Sequence, residues 1–138
     1  MISDNIYPLC DFIVPNEVEA AGIVGHPVDT EEQAVRAAET LLQRGAKTAI
    51  ITLGARGSLY RTAGHSEFIP AVAAGKVIDT TGAGDAFLGG FAAALAEGRA
   101  PIDAVRFASV TAGIAVTRPG TAPAMPARAE IEALLRSA

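Results

Sequence analysis

TEEQAVRAAETLLQRGAKTAIITLG, residues Thr30 to Gly54, holds two kinds of local order in succession. Thr30 can cap a helix, Glu31 and Glu32 complement the positive end of its dipole, and Gly45 stops it. Thr48 to Gly54 then runs as a strand with the continuous apolar character of a parallel sheet interior. A helix delivering the chain into a buried strand is the working unit of α/β proteins.

On the N-terminal side, DFIVP (Asp11 to Pro15) reads as a short buried strand, and NEVEAAGIVG reads as a helix after it. Asn16 can cap that helix while Glu19, three residues on, reaches back as in a capping box. HPVD is a break. On the C-terminal side, GSLYRT and SEFIP read as shorter strands around a turn at Gly64. DTTGAGDAF follows, then a helix from about Asp85 to Glu97, ended by Gly98. Pro101 starts another helix, PIDAVRFASVTAGIAV, which runs into the turn TRPGTAPAMP. The amphipathic helix RAEIEALLRS closes the chain. The order β-α-α-β-β-β-α-α-α predicts a layered α/β fold. There is no internal repeat and no low-complexity linker.

With 138 residues the chain is expected to form one domain and to bury a real core. Half of it is hydrophobic and 19% is charged, an apolar balance that suggests a face meant for more protein. No apolar run approaches the ~18 residues of a membrane span. The N-terminus, MISDNIYPLCDFIV, has Asp4 and Asp11, no early Lys or Arg and no long apolar core, so it does not resemble a signal peptide. A cytoplasmic location is expected. Cys10 is the only cysteine, which leaves no disulfide framework and no thiolate metal cage. His26 and His65 lie far apart in polar or Gly/Pro-containing stretches, unlike the clustered donors of metal sites. A net charge of −4 with two lysines argues against a nucleic-acid partner, which asks for a basic face.

The chemistry points to DTTGAGDAF, Asp79 to Phe87. Gly82 to Asp85 falls at a loop-to-helix junction, where the first backbone N–H groups have no internal partner and the dipole is positive. Two glycines let several N–H groups converge on a bulky anion. An acid at the same spot would repel phosphate. It makes sense if it takes a proton from a hydroxyl that then attacks the phosphate. An anion cradle beside a carboxylate base is the minimum kit for phosphoryl transfer to an alcohol. On spacing alone the plain alternative stands beside it: Asp85 favours the helix end and the glycines make a turn.

Two other phosphate motifs are excluded. A Walker loop needs G-x-x-x-x-G-K-[ST], but Gly75-Lys76 has Pro70 five positions earlier and Val77 after it. A dinucleotide fingerprint needs G-x-G-x-x-G and an acid closing a second strand. Here Gly82-x-Gly84 is followed by Phe87, and Asp103 lies at a helix start behind Pro101.

DTTGAGDAF resembles the C-terminal signature of the PfkB/ribokinase family of sugar and nucleoside kinases. Three more stretches agree with that family in order and spacing: PNEVEA (15–20), TLGARG (52–57) and IAVTRPGTAPAMP (114–126). The last of these, with RFASVTAG before it, is most similar to the family's ribose kinases. The resemblance covers essentially all 138 residues, but only the C-terminal half of that family's chain. It implies that residues 1–138 are the C-terminal portion of a ribokinase-like kinase domain, a layered α/β fold with a mainly parallel sheet. The N-terminal half, with the β-sheet lid and most of the sugar pocket, would be absent.

The resemblance implies ATP as phosphoryl donor, Mg²⁺ and a monovalent cation, K⁺, as cofactors, and a small-molecule sugar as acceptor, D-ribose at its primary hydroxyl. Asp85 would be the catalytic base and would touch both sugar and nucleotide. The amides of Gly82, Ala83 and Gly84 would form the anion hole. Thr52, Leu53, Gly54, Ala55, Arg56 and Gly57 would line the ATP site, with Gly84 also near the nucleotide. Asn16 would contact nucleotide phosphate, and Glu19 would organise Mg²⁺ through water. As isolated residues, Asn16 and Glu19 read as a capping box and Thr52 to Gly57 as a strand ending in a tight turn.

Ser109 occupies a nucleotide-pocket position where the family often places His or Asn; by itself it is a plain helix serine. The monovalent cation would take the carboxylate of Asp79 and the carbonyls of Thr81, Ala115, Arg118 and Gly120. Hard cations take oxygen ligands, and a Pro/Gly-rich loop can turn carbonyls inward. Ala124 falls where the family often has Ser, so one hydroxyl ligand would be missing. Two other readings stay open: a nucleotide-binding fragment inactive alone, and another family member such as a fructokinase or nucleoside kinase. A homodimer is implied only for the full-length protein, through the lid.

Overall fold

The computed structural model describes residues 2–137. They form two compact units, one ending at Ile69 and the other beginning at Pro70. The first unit carries β1 (Phe12–Ile13), α1 (Glu17–Val24), α2 (Glu31–Gln43), β2 (Thr48–Thr52), β3 (Ser58–Arg61) and β4 (Ser66–Ile69). The strands make one four-stranded sheet in the order β1-β2-β3-β4.

β1 runs parallel to β2, with Phe12 opposite Thr48, because α1 and α2 provide the long crossover that a parallel pair needs. β2 to β3 and β3 to β4 are antiparallel. The α/β class expected from the sequence is therefore present, but the expected mainly parallel sheet is mixed. The connection Leu53–Gly57 is too short for a crossover, so the chain must fold straight back. Thr62 N–H donates to the His65 carbonyl at 2.8 Å and closes the second hairpin around Gly64.

α2 begins as its sequence predicts. Thr30 Oγ1 accepts from the Gln33 amide at 3.2 Å, and Gln33 returns its side-chain oxygen to the Thr30 amide. Its buried face, Ala34, Ala37, Ala38 and Leu41, packs with Ala49, Ile51 and Leu53 of the β2 segment and Leu59 of β3. Alanines on that face let the helix lie close to the sheet. Tyr7, in a 3-10 turn over Asp4–Leu9 that the sequence reading omitted, completes this core.

The second unit is helical: α3 (Ala83–Ala96), α4 (Pro101–Ala115) and α5 (Arg128–Ser137). α3 and α4 approach closely at Gly90, where an added Cβ would lie 2.6 Å from Thr111 Oγ1 and 3.2 Å from Ala108 Cα. The guanidinium of Arg99 stacks 4.8 Å from the Phe107 ring centroid and that of Arg128 6.0 Å from it. Arg128 also pairs with Glu97, which ties the start of α5 to the end of α3. Among the described residues no helix is long and apolar enough to cross a membrane.

Candidate active site

In the first unit, PNEVEA and TLGARG lie side by side. Thr52 N–H donates to the Pro15 carbonyl at 3.0 Å, and Asn16 and Thr52 form a parallel bridge that extends the β1–β2 pairing. This is the carboxyl end of two parallel strands, the place where open α/β sheets bind ligands. Asn16 caps α1: its Oδ1 accepts from the Glu19 amide at 2.8 Å, and Glu19 Oε2 accepts from the Asn16 amide at 2.9 Å. The capping box read from the residues is thus in place. It leaves the Asn16 carboxamide nitrogen and Glu19 Oε1 as the atoms outside the box.

The turn after β2 is tight. Leu53 N–H donates to the Gly57 carbonyl at 2.8 Å and Gly57 N–H to the Gly54 carbonyl at 3.1 Å. Gly54 at φ +58 and Gly57 at φ +98 sit in the left-handed region where a side chain is strained. Gly54, Ala55 and Arg56 are exposed, Thr52 and Gly57 half-buried, while the Leu53 side chain points into the core. Leu53 can offer a ligand only its backbone. Arg56 donates to the Asp29 carbonyl at 2.7 Å and pairs with Glu17 at 2.6 Å. Sequence reasoning missed Glu17 and Asp29, because no local pattern announces a partner so far along the chain.

In the second unit, α3 starts inside the glycine motif. Gly82 is its N-cap and is buried; a Cβ there would lie 3.1 Å from Thr121 Cα. Gly84 is exposed, and a Cβ there would meet nothing within 4 Å. Gly82 offers no side chain as a cap, so the first-turn amides keep their donors for other acceptors. One is already taken: Ala83 N–H donates to the Thr80 carbonyl at 3.2 Å. Asp85 stands in this first turn, exposed, and its carboxylate makes no hydrogen bond or ion pair among the described residues.

Asp79 anchors the preceding loop. Its Oδ1 accepts from both the amide and the hydroxyl of Thr81, and its Oδ2 accepts from the Gly120 amide at 2.9 Å. The Thr81 hydroxyl first, then the Gly120 and Thr81 amides, hold this carboxyl down to about 2. The Ile78 and Asp79 amides donate to the Val116 carbonyl, so the two loops are laced together. The structure thereby gathers Asp79, Thr81 and Gly120. The Ala115 carbonyl lies in the same segment and accepts from the Arg118 amide at 3.2 Å. Ala124 is buried in a short 3-10 turn, Ala122–Ala124.

One carboxylate and neutral carbonyls, all hard oxygens, would suit a monovalent cation by their chemistry, while the contacts to Asp79 seen here run through the Thr81 amide and hydroxyl and the Gly120 amide. Three hydrogen bonds on a carboxylate with roughly four lone-pair sites leave Asp79 a direction for an ion. No cluster of three or more His, Cys, Asp or Glu occurs among the described residues. A magnesium ion held by substrate phosphates and waters needs no such cage. Ser109 is buried within α4, and its hydroxyl donates to the Val105 carbonyl at 2.9 Å. Only its lone pairs are left for a nucleotide.

The family described as pfkB family carbohydrate kinase matches residues 1–128. A ribokinase from Haemophilus influenzae is 41% identical over 130 residues, covering 94% of this chain and 42% of the relative. A 1-phosphofructokinase from Haloferax volcanii is 42% identical over 107 residues, covering 78% of this chain and 35% of the relative. The structure of Arabidopsis thaliana ribokinase complexed with ribose and ATP superimposes with a TM-score of 0.92 at 34% identity, covering 98% of this chain and 44% of that one. The chain spans less than half the length of these relatives.

Proposed function

The chain belongs to the pfkB family of carbohydrate kinases, and from that premise we propose that it supplies the nucleotide-binding and phosphoryl-transfer elements of an ATP-dependent sugar kinase of the ribokinase kind. In this reading residues 1–138 are the C-terminal portion of the kinase domain. The observation that carries it is Asp85, exposed and without a hydrogen bond or ion pair among the described residues, in the first turn of a helix whose N-cap, Gly82, offers no side chain.

Asp85 takes the proton from the sugar's primary hydroxyl as that oxygen attacks the γ-phosphorus, while the bond from that phosphorus to the β,γ-bridging oxygen breaks and ADP leaves. The amides of Gly82, Ala83 and Gly84 face the phosphoryl oxygens, with Gly84 keeping the approach open. Ala83, already turned toward Thr80, contributes least unless that bond opens. Thr52 to Gly57 supply backbone for the nucleotide, and Asn16 its carboxamide nitrogen. Ser109 takes a peripheral place in the nucleotide pocket. Magnesium would neutralise phosphate charge near Glu19. Potassium would firm the loop geometry at Asp79, Thr81, Ala115, Arg118 and Gly120. The cytoplasm, where ATP and potassium are both abundant, suits this chemistry.

Ribose is the proposed acceptor because two of the three relatives above are ribokinases. A phosphorylated fructose is the second reading, carried by the 42% identity over 107 residues to the 1-phosphofructokinase. A chimera in which this chain replaces the segment it matches in the Haemophilus influenzae ribokinase tests the phosphoryl-transfer reading. ATP-dependent ribose phosphorylation that Asp85→Asn abolishes supports it. Should the chimera fold yet work equally well with that substitution, the reading fails.

A further inference from the structure

Arg118 would enter the cation site only through its carbonyl, yet its side chain is anchored elsewhere. Both terminal nitrogens of the guanidinium reach Glu130, in the first turn of α5: Nη1 to Oε2 at 3.4 Å and Nη2 to Oε1. Glu130 Oε2 also accepts from the Ala127 amide at 2.7 Å. The carboxylate is therefore gripped by the start of its own helix on one side and by Arg118 on the other. The Arg118 guanidinium and the Ala127 amide both hold its proton affinity below the ordinary glutamate range.

Only Pro119 separates Arg118 from the next fixed point, the Gly120 amide, which donates to Asp79 Oδ2 at 2.9 Å. Proline fixes its own φ, and Gly120 lies at φ +86, where a side chain would be strained. The segment is thus clamped at both ends with a stiff link between them.

We propose that Glu130 is a positioning residue for the monovalent-cation site: by holding the Arg118 side chain it orients the Arg118 and Gly120 carbonyls toward Asp79. This rests on the potassium reading given above. Partners behind the direct ligands commonly fix ligand orientation and contribute strongly to ion affinity. An exposed ion pair adds little to global stability, so loss of this one should act on the loop and not on the melting temperature.

The test follows the Gly120 amide by NMR hydrogen exchange as potassium chloride replaces choline chloride at constant ionic strength, with thermal melting alongside. In the wild-type chain potassium should slow that exchange. Glu130→Gln should raise the potassium concentration for half the effect by about tenfold, the low end of what such partners supply, with little change in melting temperature. Arg118→Glu should do the same, and the charge-swapped Arg118→Glu/Glu130→Arg chain should recover most of the loss. A responsive wild type with an unmoved Glu130→Gln midpoint overturns the positioning role alone. A double variant no better than either single one overturns it too. A wild-type amide indifferent to potassium overturns the cation reading and this proposal together.

Discussion

An acid in the first turn of a helix ordinarily stabilises it through the dipole. Asp85 does so while leaving its carboxylate exposed and unpaired among the described residues. Asp85→Asn keeps the shape and removes the proton acceptor. In the chimera it should lower kcat by ~10²–10⁴-fold, the usual contribution of a general base, while ATP affinity measured by calorimetry barely moves. Near-normal kcat would discard the assignment. Asp79 makes a different prediction. Its carboxyl is held at about 2 when folded, below the ordinary value near 3.9. The ionised, hydrogen-bonded form therefore contributes stability above about pH 4, and that contribution fades as pH falls from about 4 toward 2. Urea unfolding of wild type and Asp79→Asn should show a gap at about pH 6 that narrows through this window. A pH-independent gap would mean the Thr81 and Gly120 hydrogen bonds do not hold the charge. At this scale the Asn16–Glu19 box was legible because its partners are three residues apart. Arg56–Glu17 was not, since two exposed charges far apart in sequence carry no mark of pairing.

Helix starts were readable because caps are local chemistry, and Thr30 and Asn16 behave as their side chains dictate. Strand direction was not. A continuous apolar run such as Thr48–Thr52 reports burial on both faces, while the length of the following connection decides parallel or antiparallel pairing. β1 spans Phe12–Ile13 where five residues were expected, because apolarity alone does not define an element's end. The packing of α3 on α4 allows a paired test. Gly90→Ala would drive a methyl group against Thr111 and the Ala108 backbone, an overpacking that should cost about 1–3 kcal/mol. Gly89→Ala, one residue earlier with nothing within 4 Å, should instead stabilise the helix by about 0.5–1 kcal/mol. Urea midpoints of the two variants should move in opposite directions. Movement in the same direction would contradict the close approach at Gly90.

The apolar excess of the sequence has a visible counterpart in the whole molecule. Leu9 is 81% exposed and Val18 76% exposed, and Ile2 and Ile6 join them near the N-terminus of the first unit. β1 is an end strand, paired with β2 on one side only. An open strand edge in a unit that also exposes apolar side chains invites association with another chain. The relatives that resemble this chain are more than twice as long, so such a surface is expected to take more protein. The chain by itself should therefore sediment with a concentration-dependent mass. It should bind ATP weakly, because Asn16, Thr52 to Gly57 and the Gly82–Asp85 turn are all present. It should not phosphorylate ribose at a useful rate. A base with no positioned hydroxyl gains nothing from proximity, and well-oriented reactants are worth ~7–11 kcal/mol of a barrier. Sedimentation velocity, calorimetry with ATP and a coupled assay with ribose check the three parts separately. Brisk turnover by the isolated chain would show that residues 1–138 already hold an acceptor pocket, and the search for it would begin beside Asp85.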